Sequence, residues 1–133
     1  MDFLSFFEEF KERAGNHDLD YLKTTISEGF QAREVRQGEA VDYGYTESVQ
    51  GWKEAFEHFE NFETTWTYTD HSITQTKDNE WMAAFWVSLT IDGEQMPTSN
   101  LFFDTFKKEA EGWKLVRSYI EAGVQNPLSI TSS

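Results

Sequence analysis

Four strand-like runs follow one another through the second half of the chain with only tight turns between them, and this feature most limits the fold. The runs span Glu63 to Lys77, Glu80 to Asp92, Gln95 to Lys108 and Trp113 to Val124. They are joined by Asp78-Asn79, Asp92-Gly93 and Glu109-Ala110-Glu111-Gly112. Short Asp-Gly and Gly-containing loops between β-rich segments close hairpins, because residues tolerant of positive φ match the twist of the flanking strands. A long antiparallel meander is expected.

The first half reads as mainly helical. Phe3, Phe6, Phe7, Phe10 and Ala14 recur at helical spacing, with Glu8, Glu9, Lys11 and Glu12 on the opposite side, and Gly15-Asn16 stops the helix. A second helix is expected from about Asp18, its cap, to Gly29, with Leu19, Leu22 and Ile26 inward. Phe30 to Arg36, a Gln37-Gly38 turn and Glu39 to Val49 read as a hairpin. Gly51 then opens a third helix carrying Trp52, Ala55, Phe56 and Phe59 on one stripe. The fold class expected is α+β: a curved antiparallel sheet with three helices from the N-terminal half on its concave face, forming a cone with a pocket.

At 133 residues the chain suits one domain, expected over residues 1–124, with residues 125–133 as a loosely held tail. An aromatic content of 17% implies a ring-lined core or pocket. The 24 Asp and Glu against 11 Lys and Arg give a net charge of −13, which repels phosphate backbones and anionic lipid surfaces. Neither nucleic acid nor membrane is therefore expected as a partner. Solubility explains the charge, with an acidic face for a basic partner as the alternative. The chain has no cysteine, which excludes disulfides and thiolate metal sites. The start, Met1-Asp2-Phe3-Leu4-Ser5, lacks a basic leader, so a cytoplasmic location is expected.

The order helix, helix, hairpin, helix and four antiparallel strands resembles the nuclear transport factor 2-like superfamily, a cystatin-like α+β cone. The likeness is to its SnoaL-like and ketosteroid-isomerase-like members in particular. Two stretches carry it. Val49-Gln50-Gly51-Trp52-Lys53-Glu54-Ala55-Phe56 is similar to the family's glycine before its third helix, and Phe106-Lys107-Lys108 through Gly112-Trp113-Lys114-Leu115-Val116 is similar to its last hairpin. Both mark the fold rather than a reaction.

Directly opposed strand residues share a face, so regular turns let the faces be followed along the meander. One face then holds Trp66, Tyr68, Asp70 and Ser72, then Trp81, Ala83, Phe85, Val87 and Leu89. It continues with Asn100, Phe102, Asp104 and Phe106, and with Trp113, Leu115, Arg117, Tyr119 and Glu121. This more aromatic face is expected under the helices. It sets Asp104 opposite Arg117, Asn100 opposite Glu121 and Tyr119 opposite Phe102. Asp104 and Arg117 either neutralise one another as a cross-strand pair or line the cone mouth, where an Arg fork holds a ligand oxygen and Tyr119 donates to it. The candidate ligand-binding residues are Asn100, Asp104, Arg117, Tyr119, Trp52 and Phe56.

For the ketosteroid-isomerase-like members, the resemblance implies a carboxylate base and a Tyr-plus-protonated-Asp donor pair. Asp104 and Tyr119 have suitable types as catalytic candidates, and Asp42, Glu34 or Asp70 as the base. Asp18 and Asp20, which follow His17 at a helix start, read as capping carboxylates rather than as metal ligands with it, His58 as solvated and His71 as a residue of the outer face. No metal and no cofactor is expected.

The opposite face would expose Met82, Trp86, Leu101, Phe103, Val116 and Ile120, an apolar patch of the kind that marks interfaces. The resemblance implies dimerisation through this side. The reading is thus a homodimer that binds a small, partly apolar molecule. Two alternatives are a cofactor-free isomerase, dehydratase or cyclase, and an interaction domain with no ligand.

Overall fold

The computed structural model describes residues 1–127. Helix α1 (Phe3–Gly15) is capped by Asp2, whose carboxylate accepts from the Ser5 amide at 2.8 Å. Its buried stripe is the expected one, Phe3, Phe6, Phe7, Phe10 and Ala14. Phe3 stacks on Trp81 at 5.1 Å and Phe7 meets Phe85 at 5.5 Å, so this helix covers one end of the sheet. Helix α2 (Leu19–Thr25) is capped by Asp18 as expected but is shorter than its pattern implied. The β-branched run Thr24-Thr25-Ile26 favours extended backbone. Ile26 leaves the helix with ψ 127° and pairs beside Leu115 in the sheet.

Strands β1 (Ile26–Arg36) and β2 (Glu39–Gly44) form the expected hairpin, with Gln37 and Gly38 both at positive φ. Helix α3 (Tyr45–Phe59) then begins earlier than Gly51. Tyr45, Thr46 and Val49 have strand propensity, but the Glu47 carboxylate accepts from the Gly44 amide at 3.0 Å and closes the first helical turn.

The meander is present as β3 (Thr64–Lys77), β4 (Glu80–Ile91), β5 (Glu94–Glu109) and β6 (Gly112–Gln125). The strand order is β2-β1-β6-β5-β4-β3, antiparallel except where β1 runs parallel to β6. The class is α+β, three helices with a curved sheet. No helix among the described residues is long and apolar enough to cross a membrane.

Bulges decide which side chains face the helices. Between β4 and β5 the register slips by two residues near Ser88, so the expected faces survive: Trp81, Phe85 and Val87 lie opposite Phe106, Phe102 and Asn100. In β3 an extra residue at His71 sends Ser72 outward and Ile73 inward against the core. The largest departure is in β6. Phe106 pairs with Leu115, but Thr105 pairs with Arg117, leaving Val116 as an extra residue. A single bulge reverses the facing of everything beyond it. Asp104 is therefore opposite Ser118, not Arg117, and Phe102 is opposite Ile120, not Tyr119. Asn100 lies at a further irregularity, where it is not paired with Glu121 and its Oδ1 accepts from the Gly123 amide at 3.2 Å.

The strand order persists past Val124. Asn126 is fully buried: its Oδ1 accepts from the Ser88 hydroxyl at 3.0 Å, its Nδ2 donates to the Met96 carbonyl at 2.9 Å and its amide to the Pro97 carbonyl at 3.1 Å. The rest of the expected tail, 128–133, lies outside the described residues.

Candidate functional site

Between α3 and the inner face of the sheet lies a cleft of about 860 Å3. Its walls come from Trp52, Ala55 and Phe59 on α3, Phe30 on β1, Tyr43 on β2 and Trp66 on β3. Its floor comes from Val87, Asn100, Phe102, Asp104, Ser118 and Ile120. The apolar stripe of α3 serves both the core and the cleft. Phe56 packs down, stacked on His17 at 4.4 Å, while Trp52, 5.6 Å from Phe56, lines the opening.

Asp104 is the group that distinguishes this cleft. It is 3% exposed, and Ser118 Oγ donates to its Oδ1 at 2.5 Å. No Lys, Arg or His among the described residues forms an ion pair with it. Burial pushes its pKa up to about 7, against the opposing pull of the Ser118 hydroxyl. Two phenols sense its charge. Tyr43 and Tyr68 are both held above the ordinary tyrosine range, first by burial, with Asp104 a further cause in each and Glu34 a cause at Tyr43. The Tyr68 hydroxyl and the Trp66 indole N–H are buried without a protein partner, as are His17 Nε2 and Ser99 Oγ. Each such group costs about 1–3 kcal/mol unless something satisfies it.

A second concavity, of about 900 Å3, opens on the other face of the sheet and is lined by Arg33, Arg117, Tyr119, Phe103 and Met82. Its arginines and its tyrosine are already answered within the protein. Arg33 binds Asp42 in a fork at 2.6 and 2.9 Å, Arg117 lies 3.5 Å from Glu80, and the Tyr119 hydroxyl donates to Glu121 at 2.6 Å. The inner cleft, with its unanswered polar groups, is the stronger candidate.

No protein-family model matches the sequence, and no curated protein is similar to it at a significant level. Solved structures are similar in shape. An NTF2-like protein of unknown function in nutrient uptake from Rhodospirillum rubrum superposes with a TM-score of 0.67 at 15% identity, over 91% of this chain and 98% of that one. The protein Aln2 from a Streptomyces species gives 0.70 at 15% identity, over 90% and 86%. A domain of unknown function with a cystatin-like fold from Nostoc punctiforme gives 0.68 at 12% identity, over 91% and 75%. This chain has the NTF2-like, cystatin-like fold. At such identities the likeness is one of fold alone.

Within the NTF2-like cone, Asp104, Asn100 and Trp52 come together around the cleft, whereas Phe56 is core packing behind it. Arg117 and Tyr119 are carried to the opposite face by the Val116 bulge. Of the carboxylates considered as a base, Glu34 lines the cleft, Asp42 is held by Arg33 at its rim, and Asp70 is clamped by Lys11 at 2.9 and 3.1 Å. His17 has a pKa lowered by burial, and its ring meets Trp66 edge-on at 5.0 Å. It is thus half-buried packing, and Asp18 does the capping, accepting from the Tyr21 amide at 3.1 Å. His71 lies on the outer face against Trp86. The residues that sequence reasoning missed are Tyr43 and Ser118. Ser118 was one residue from detection, since a single extra residue in β6 exchanges it with Arg117.

Proposed function

We propose that the cleft holds a small, partly apolar molecule, with its polar end at Asp104 and Asn100 and its body against Trp52, Trp66 and Phe102. The observation that carries this reading is Asp104 itself. A buried carboxyl with one hydroxyl partner, at the floor of a ring-lined cleft, lowers stability in a way that a purely structural core would avoid. Concave sites lined mainly by rings, with few convergent polar groups, are the usual form of small-molecule sites. The test is titration with a neutral apolar fluorophore such as N-phenyl-1-naphthylamine. Saturable binding is expected, weakened about tenfold or more in Trp52→Ala, since one large ring face is worth at least that much contact. Absence of saturable binding to the wild type would remove the reading and leave an interaction domain without a ligand.

A second reading, cofactor-free proton-transfer catalysis of the isomerase, dehydratase or cyclase kind, is favoured by one observation. A carboxyl poised near neutral pH is suited to give or take a proton there. In that reading Tyr68 or Tyr43, rather than Tyr119, would be the phenol beside it. The same proposal includes a homodimer that covers the exposed rings and thioether of the outer face.

A further inference from the structure

If the cleft binds a small molecule, as proposed above, the charge of that molecule follows from the charge of the cleft. Among the described residues four carboxylates line it, Glu34, Asp42, Glu47 and Asp104, against the single cation Arg36. Two of the four have a cation: Glu34 has Arg36 at 3.4 Å and Asp42 has the Arg33 fork. Glu47 is exposed to water and accepts from the Gly44 amide. Asp104 is buried and has no cation. The groups that face it are the Ser118 hydroxyl from β6 and the phenols of Tyr43 from β2 and Tyr68 from β3, with Glu34 of β1 beyond Tyr43. None of these carries positive charge, and Ser118 uses only one of the two carboxylate oxygens.

Three ligand types would meet this lining differently. An anion would enter a net-negative lining and meet a carboxylate at the floor, which like-charge repulsion in a low dielectric forbids. A neutral hydroxyl satisfies a lone pair of Asp104 but leaves its charge unoffset. A cation offsets the charge, donates to the free oxygen and enters a lining that includes the rings of Trp52, Tyr43 and Phe102, and aromatic rings attract cations more strongly when water is excluded. We infer that the cleft is selective for a protonated amine carried on an apolar, ring-sized body, with Asp104 as its counter-ion. The overall charge of −13 draws such a molecule in the same direction from a distance.

Three probes of matched shape decide this: 2-naphthylmethylamine, 2-naphthylmethanol and 2-naphthoate. Each is titrated calorimetrically into the full chain in moderate salt, which screens the long-range attraction. Near pH 8, the amine is expected to bind at least about tenfold more tightly than the alcohol, and the naphthoate not to bind. Near pH 5, where Asp104 keeps its proton, the amine's advantage should fall to about threefold or less. Asp104→Asn should lose the advantage at both pH values, with a thermal melt to show that the variant is folded. If it does not fold, the pH comparison on the wild type decides alone. Alcohol binding as tightly as amine near pH 8 would overturn the inference and leave the small-molecule reading standing. An amine preference unchanged by pH or by Asp104→Asn would also overturn it, because the counter-ion would then lie elsewhere. Failure of all three probes to bind would count against the small-molecule reading itself.

Discussion

Asp104 has a consequence for stability that does not depend on any ligand. In the folded protein its carboxyl holds a proton up to about pH 7, whereas an unfolded chain releases it near 3.8. Between those values the unfolded state binds fewer protons, so this group's contribution is full at low pH and is lost as pH rises to about 7, then stays level. At about 1.4 kcal/mol per tenfold change in proton affinity, the loss is on the order of 4 kcal/mol. Asp104→Asn keeps the shape and an acceptor for Ser118 but carries no charge to bury. Urea unfolding should therefore find the variant close to wild type near pH 4 and more stable than wild type near pH 8. A stability gap that is the same at both pH values would show that Asp104 is not ionised in a dry site.

At the scale of the element, β6 decides the character of the cleft. Its bulge at Val116 puts Ser118 and Ile120 inside and Arg117 and Tyr119 outside. Arg117 is mostly exposed and lies 3.5 Å from the buried Glu80, whose carboxylate keeps the Thr76 hydroxyl at 2.8 Å and Lys77 at 3.7 Å when the arginine is removed. Arg117→Met and Tyr119→Phe should each change stability by less than about 1 kcal/mol and leave probe binding in the inner cleft unaltered. In the regular register Arg117 would have been the partner of Asp104, and its loss would cost about 3–5 kcal/mol. Chemical unfolding and one probe titration of each variant separate the two arrangements. The opposite end of β6 has its own anchor in Asn126, which ties it to β4 through Ser88 and to the chain at Met96 and Pro97.

For the molecule as a whole, the outer face of the sheet is the surface still to be accounted for. Met82 is 42% exposed, Phe103 38% and Tyr119 39%, and Trp86, further along β4, is half-buried. The patch differs from the one expected. Ile120, at 5% exposure, belongs to the cleft floor, and Tyr119 takes its place beside Phe103 at 6.1 Å. Two copies meeting on a two-fold axis are the simplest closed way to cover such a patch. Sedimentation at micromolar concentration is expected to give twice the chain mass, and Phe103→Asp to give a monomer that still binds the apolar probe. A wild-type monomer under those conditions would dispose of the dimer. Loss of probe binding together with loss of the dimer would mean that the cleft needs the partner for its shape.

What could be read from the sequence alone was whatever depends on neighbours along the chain. The helical spacing of the α1 phenylalanines, the Asp18 cap and the Asp-Gly and Gln-Gly turns are local energetics, and they led to the right class and the right order of elements. Most of the inner face was legible too, because period-two alternation survives a slip of two residues, as at Ser88. What only the tertiary structure decided was where single residues are added. The bulges at His71 and Val116 leave no mark in composition, since an extra residue costs a strand one hydrogen bond and is accepted wherever packing on the two faces offsets that loss. The same holds for the early start of α3, where strand-prone residues were overridden by a carboxylate closing on the Gly44 amide. The cleft's chemistry follows from the Val116 bulge, because that one residue removes an arginine from the floor and leaves a buried carboxyl without a cation.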